Sequence, residues 1–209
     1  MYSVKEMFLS LQGEGAQAGR AMVFLRFAGC NLWSGREEDR ASAVCSFCDT
    51  DFIGTDGQNG AKFAEAEDVV AAAEMLWTAD DGPKWVVATG GEPTLQLDAE
   101  LVDAFHRAGW LMAIETNGTM PVPPGVDWVC VSPKADAKVV QTAGDELKLV
   151  YPQERNRPED FASMSFTHRF LQPCDGAELA ENTRAAVAYC LAHPEWRLSV
   201  QTHKVVGID

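Results

Sequence analysis

The chain is expected to fold as an α/β protein, specifically an incomplete, open parallel β/α barrel. Three observations point there. Short apolar runs alternate with amphipathic stretches, the residues with chemical capacity fall just after those runs, and 209 residues fall short of the about 250 that a closed eight-unit barrel takes. Strands separated by helices pair in parallel.

The apolar runs near 22–28, 85–89, 111–115, 127–131, 146–150, 168–172 and 197–201 read as strands, and the stretches near 66–79, 98–109 and 178–193 as helices. Asp98 and Pro158 are helix-start signals and Gly109 is a stop. Between 127–131 and 146–150 no amphipathic helix is evident, and 155–166 leaves room only for a short one. Residues 54–62 form a polar, glycine-rich loop. With no repeat, low-complexity tract or linker, the chain reads as one domain over 1–209.

Composition narrows the function classes. A 46% hydrophobic, 23% charged chain is an ordinary globular one. Seventeen Lys and Arg against thirty-one Asp and Glu leave a net charge of −14, which repels phosphate backbones and anionic lipid. Neither direct nucleic-acid binding nor membrane association is expected. The first residues lack a secretory signal, and no run reaches the length that spans a bilayer. The chain is therefore expected to be cytoplasmic, where six cysteines serve as ligands or buried thiols rather than disulfides. Cys130 and Cys190 have apolar neighbours and read as packing, whereas Cys174 lies in a loop beside Pro173.

Two motifs carry most of the chemical information. Cys30, Cys45 and Cys48 lie in Cys30-x14-Cys45-Ser-Phe-Cys48, directly after the apolar run 22–28. A structural zinc normally takes four protein ligands, whereas a cubane iron–sulfur cluster held by three cysteines leaves one iron open to another molecule. The second motif, Gly90-Gly91-Glu92-Pro93, follows the run 85–89. Its glycines either let backbone approach a ligand closely or simply turn the chain. Glu115-Thr-Asn-Gly118, Ser132-Pro-Lys134, Gln172 and His203 follow later runs, so the carboxyl edge of the sheet is expected to hold the site. Arg26 interrupts an apolar strand. A guanidinium there must meet an anion, either a bound acid or an internal carboxylate.

The cysteine loop followed by Gly90-Gly91-Glu92-Pro93 resembles the radical S-adenosylmethionine superfamily. Together with Ser10-Leu-Gln-Gly-Glu-Gly15, the fourteen-residue cysteine spacing, Cys48-Asp49-Thr50, Glu115-Thr-Asn-Gly118 and Ser132-Pro-Lys134, it is similar to the 7-carboxy-7-deazaguanine synthase family over the whole chain. The superfamily's usual spacing is Cys-x3-Cys-x2-Cys; here residues near 31–44 are inserted, including the charged Gly35-Arg-Glu-Glu-Asp-Arg40, which suits a turn or short helix.

The resemblance implies a lyase of deazapurine and queuosine biosynthesis that contracts the ring of 6-carboxy-5,6,7,8-tetrahydropterin with loss of ammonia. It implies a 4Fe-4S cluster on Cys30, Cys45 and Cys48, S-adenosylmethionine, and a magnesium ion on Thr50, with Asp49 as an alternative ligand. Phe47, Gly90, Gly91, Glu92, Ser132, Pro133, Lys134 and Gln172 would face S-adenosylmethionine. Leu11, Gln12, Gly13, Glu14, Arg26, Thr89, Glu115 and His203 would line the substrate pocket, Arg26 taking the substrate carboxylate and Glu115 the guanidine-like edge of the pterin. A low-potential donor such as flavodoxin or ferredoxin, a homodimer, and a terminal carboxylate of Asp209 near the pocket are also implied. Two rivals stay open: an activating enzyme that places a radical on a protein partner, and a binding module with zinc on Cys30, Cys45, Cys48 and His203.

Overall fold

A computed structural model describes residues 1–208. Strands β1 (Tyr2–Leu11), β2 (Ala21–Phe27), β3 (Ala61–Phe63), β4 (Lys84–Gly90), β5 (Trp110–Thr116), β6 (Trp128–Val131), β7 (Ala143–Tyr151), β8 (Ser165–Pro173) and β9 (Arg197–Leu198) form one sheet. Its order is β3-β1-β2-β4-β5-β6-β7-β8-β9. From β2 to β9 every pairing is parallel. Helices α1 (Ala66–Leu76), α2 (Ala99–Arg107), α3 (Leu179–Ala192) and α4 (Thr202–Val206) complete the fold. The two ends of the sheet, β3 and β9, do not meet, which gives the open barrel.

The helix boundaries follow from local chemistry. Asp98 caps α2 by accepting from the Leu101 amide at 3.0 Å, and the chain leaves that helix at Gly109, where φ is +78°. α1 opens with a capping box between Glu65 and Asp68. It stops at Leu76, short of 79, and Trp77 turns edge-on to Trp110. Pro158 starts only a four-residue 3-10 helix, Pro158–Phe161. A second 3-10 turn, Glu37–Ser42, occupies the cysteine-loop insertion. No helix joins β6 to β7.

Alternation along the strands sorts side chains between two faces. On the outer face Val23, Leu25, Val86, Ala88, Met112 and Ile114 pack beneath α1 and α2 residues such as Val69, Leu101 and Phe105. Leu147, Leu149 and Leu171 pack with Ala186 of α3. On the inner face, Met22, Trp85, Val87 and Ala113 fill the amino-terminal end. Polar residues occupy the carboxyl end.

Three expectations are corrected. β1 is a full ten-residue strand, antiparallel to β2, although its sequence does not alternate cleanly. A register shift between Val4 and Glu6 interrupts the period, as a bulge does, and places Lys5 7% exposed with charged partners. The polar stretch 54–62 ends in β3, antiparallel to β1. The expected strand 197–201 is extended only at Arg197–Leu198, so His203 stands on α4 rather than at a strand end.

Candidate active site

A cavity of about 570 Å³ opens at the carboxyl ends of the parallel strands. The connection after β1, the cysteine loop after β2, the turns after β4, β5 and β6, the loop after β8, and α4 all contribute to its walls. Its size suits a ligand of ordinary cofactor or drug dimensions.

The loop after β1 shows why its glycines are needed. At Gly13 a Cβ would stand 2.0 Å from His203 Nδ1; at Gly15, where φ is +64°, it would stand 1.9 Å from Glu146 Oε1. The loop therefore admits α4 on one side and a β7 carboxylate on the other. Thr202 of α4 donates to the Gly13 carbonyl through its amide (2.9 Å) and its hydroxyl (2.8 Å). Gln201 Nε2 donates to Glu14 Oε1 at 3.0 Å. Leu11, Gln12, Gly13, Glu14 and His203 all line the cavity. Asp209 lies outside the described residues.

Arg26 of β2 also lines the cavity, paired through Nε with Glu6 Oε1 at 2.6 Å. Its terminal nitrogens make no hydrogen bond among the described residues. The internal carboxylate is therefore real, and it leaves the outer edge of the guanidinium available to a second anion. Thr89 and Glu115 line the same wall.

The Gly90-Gly91 turn has a reason independent of any ligand. At Gly90, with φ +127°, a Cβ would lie 2.2 Å from the Phe27 carbonyl oxygen; at Gly91 it would lie 2.0 Å from that of Gly29. The end of β4 thus lies directly against the backbone that leads into the cysteine loop, and both glycines still line the cavity. Glu92 is placed differently from its neighbours. It is fully buried, and its carboxylate accepts from the Thr94 amide (3.0 Å), the Thr94 and Thr116 hydroxyls (2.5 and 2.6 Å) and the Asn117 amide (2.8 Å). It ties the turn after β4 to that after β5 and is not among the residues that line the cavity. Pro133 is buried behind the wall, whereas Ser132, Lys134 and Gln172 line it. Lys134 Nζ donates to the Ser132 carbonyl at 3.0 Å, and Gln172 Oε1 accepts from Ser199 Oγ at 3.0 Å.

Phe47, Cys48, Asp49 and Thr50 bring the cysteine loop to the mouth. Three cations hold that loop, Arg40 from within it and Lys204 and Lys5 from distant segments. Arg40 Nη1 donates to the carbonyls of Ser46 (2.9 Å) and Cys48 (3.0 Å) and its guanidinium lies over Trp33. Lys204 pairs with Asp49 at 2.8 Å, and Lys5 with Asp51 at 2.8 Å. Asp49 is thus already engaged, while the Thr50 hydroxyl makes no hydrogen bond among the described residues.

The thiols are electrically incomplete. Cys45 donates its proton toward Cys48, which holds Cys48 low, at about 6, against the opposing effect of burial. The same hydrogen bond, then burial, pushes Cys45 far up. Burial first also raises Cys30. All six cysteines are free. Among the described residues no group of three or more His, Cys, Asp and Glu converges as it would around a single ion, and His203 packs against Gly13. The donor set, three soft sulfurs on one loop beside a roomy cavity, fits a cluster that offers each thiolate its own corner.

Sequence reasoning missed Lys148. It is 3% exposed on the inner face of β7, and its Nζ lies 2.7 Å from both Glu14 Oε2 and Glu115 Oε2. Burial opposes its charge, but the surrounding carboxylates prevail and raise it well above the ordinary lysine value. Burial likewise works against ionised Glu14, yet Lys148 holds it down at about 2. Glu146, two residues before Lys148 and 2% exposed, is raised mainly by burial. The signal was available: two charges at i and i+2 in Glu146-Leu-Lys148-Leu-Val150 are as anomalous in a parallel strand as Arg26.

Comparison with known proteins accords with this site. No family model matches the chain. It is 65% identical to the 7-carboxy-7-deazaguanine synthase of Caulobacter vibrioides and 62% identical to that of Bordetella pertussis, in each case over 99% of both chains. The crystal structure of QueE from Escherichia coli superposes with a TM-score of 0.74 at 29% identity, covering 97% of this chain and 94% of that one. Similarity at that level over almost the full length, together with an open barrel whose three-cysteine loop and Gly-Gly turn meet at one cavity, places the chain in the 7-carboxy-7-deazaguanine synthase family of the radical S-adenosylmethionine superfamily.

Proposed function

We propose that the chain catalyses the radical-mediated ring contraction of 6-carboxy-5,6,7,8-tetrahydropterin to 7-carboxy-7-deazaguanine with loss of ammonia, a lyase step of queuosine biosynthesis. The observation that carries this reading is the pairing, across one cavity, of the Arg26 guanidinium edge with the Glu14–Glu115 carboxylates. A carboxylated pterin has the complementary ends. Its acid group takes a guanidinium bidentately, and its amino-pyrimidine edge offers paired N–H donors to carboxylates.

When bound, the 4Fe-4S cluster and S-adenosylmethionine would supply a 5′-deoxyadenosyl radical for abstraction of hydrogen from substrate C6. The chain's own residues hold, orient and shield. Cys30, Cys45 and Cys48 would hold three corners of the cluster. Gly90, Gly91, Ser132, Lys134, Gln172 and Phe47 would contact S-adenosylmethionine, and Gln12, Gly13, Thr89 and His203 would complete the substrate walls. Lys134 is the cation of that group and suits the methionine carboxylate.

Thr50 would hold magnesium, which would draw its other oxygen ligands from substrate and water. The free Thr50 hydroxyl supports it over Asp49, which Lys204 already neutralises. Thr50→Ala should abolish magnesium stimulation of turnover; equal stimulation in wild type and variant removes the assignment. We further read residues 1–209 as one cytoplasmic domain, acting as a homodimer and reduced by a flavodoxin or ferredoxin. The unpaired outer edges of β3 and β9 support the dimer, since exposed edges invite a cover.

The deciding experiment is anaerobic reconstitution followed by assay with carboxytetrahydropterin deuterated at C6. Product should form without any protein substrate, and the label should enter 5′-deoxyadenosine. Turnover that requires a protein partner would favour the activating-enzyme alternative.

A further inference from the structure

The established chemistry accounts for the residues that would touch cofactor and substrate, but not for the buried lysine beneath them. Lys148 itself lines the cavity. It occupies the pocket floor between a loop carboxylate, Glu14, and a strand carboxylate, Glu115, at 2.7 Å from each. The second oxygen of each glutamate is fixed by a neutral amide: Gln201 Nε2 donates to Glu14 Oε1 at 3.0 Å, and Gln12 Nε2 to Glu115 Oε1 at 3.3 Å. Gln12 Oε1 in turn accepts from the Glu14 amide at 3.2 Å. Both carboxylates are thereby locked in orientation while still lining the cavity.

We propose that Lys148 is a positioning residue for substrate recognition: by bridging Glu14 and Glu115 it keeps both as acceptor-only carboxylates, aimed to receive the paired N–H donors of a guanidine-like heterocycle edge. The inference rests on the substrate reading above and adds to it the device that sets the protonation of the floor.

The physical reason is the behaviour of neighbouring carboxylates. Two that share a site without a cation cannot both ionise easily, and one takes up a proton. A protonated glutamate becomes a donor, and against a substrate N–H it presents like to like, so a hydrogen bond is lost and a buried donor is left unsatisfied. Lys148 removes that conflict. The groups facing it are Glu14 from the loop after β1, Glu115 from β5, Cys130 from β6 and Glu146 from its own strand. Glu146 is directed elsewhere, accepting from the Ala16 amide at 2.9 Å with Cys130 Sγ 3.6 Å from its other oxygen. His203 stands beyond Gly13 on α4. Its contribution is common to wild type and Lys148 variants, so it cancels in their ratio.

The test is calorimetric titration of the reconstituted protein with 6-carboxypterin from about pH 8 down to about pH 6. The Kd of Lys148→Met relative to wild type should be about tenfold weaker at the alkaline end and should widen to about a hundredfold at the acid end, as one glutamate protonates. Lys148→Arg, which keeps the charge, should show a ratio that does not change with pH. In turnover, Lys148→Met should raise KM more than it lowers kcat. A Lys148→Met ratio that is flat with pH, while wild type binds, overturns the proposal and leaves the substrate reading intact. Failure of wild type to bind 6-carboxypterin or to turn over carboxytetrahydropterin overturns the substrate reading itself. Carbon NMR of wild type labelled at the glutamate δ-carbon, with signals assigned through Glu14→Gln and Glu115→Gln, decides the matter should Lys148→Met fail to fold. Both signals should remain those of carboxylates to about pH 5; protonation of either above that value overturns the proposal.

Discussion

The cysteine loop and the pocket floor solve opposite electrostatic problems. In the loop, Arg40 from within and Lys204 and Lys5 from outside hold backbone carbonyls and exposed carboxylates, while Lys134 is the one cation that acts on Cys45 and Cys48. On the floor a single buried cation, Lys148, serves two carboxylates from within, and amides fix their remaining oxygens. The loop is mechanically restrained and chemically unfinished, as suits a segment that must receive metal and sulfide. The floor is finished before anything binds, as suits recognition of a neutral donor edge.

The largest expected effect breaks the loop alone. Cys45→Ala should reduce bound iron from about four per chain to near zero and lower ring contraction by at least about 10³-fold. Unfolding in urea should shift little, since the loop's three cationic anchors remain. A loss of stability as large as the loss of iron would mean that the thiols also serve the fold.

A second substitution sharpens the distinction between recognition and scaffold. Glu92→Ala removes the acceptor for the Thr94 and Asn117 amides and two hydroxyls, so unfolding free energy should fall by roughly 3–5 kcal/mol. Unchanged stability with weakened S-adenosylmethionine binding would instead return Glu92 to the cofactor.

The smallest effect tests the floor through pH. Glu14 is held at about 2 against an ordinary value of 4.5, so its contribution is present above about pH 4.5 and is lost as pH falls toward 2. With the side chain partly open to the cavity, that contribution is on the order of 2–3 kcal/mol. Glu146 is displaced the other way, so its contribution is full below its ordinary value and disappears as pH rises through the raised one. Stability should therefore increase on mild acidification from neutrality and then decline in stronger acid. Glu146→Gln should abolish the first slope and retain the second; retention of both would mean that Glu146 is not the group responsible.

Much of the site was legible because its residues are anomalous in place. A guanidinium in an apolar strand, three clustered cysteines and glycines after a strand each violate the local pattern; Arg26, Gly90 and Gly91 reach the cavity, and of the three cysteines Cys48 does. Lys148 obeys the same logic, but Leu147, Leu149 and Val150 make 146–150 read as an apolar strand and mask its two charges. β1 was overlooked because the bulge at Lys5 destroys the alternation that marks a strand. Glu92 belonged to the right motif, yet its carboxylate points into the protein.

The sequence by itself determined the parallel α/β class, the grouping of three cysteines in one loop and the edge where the site would form, because periodicity and residue spacing are local properties of a chain. Only the tertiary structure decided that Lys204 neutralises Asp49, that Glu92 is a strut, and that one lysine governs two glutamates. Pairings between charges far apart in sequence leave no local trace. They exist only once folding has brought the partners within hydrogen-bond reach and removed the water that would otherwise screen them.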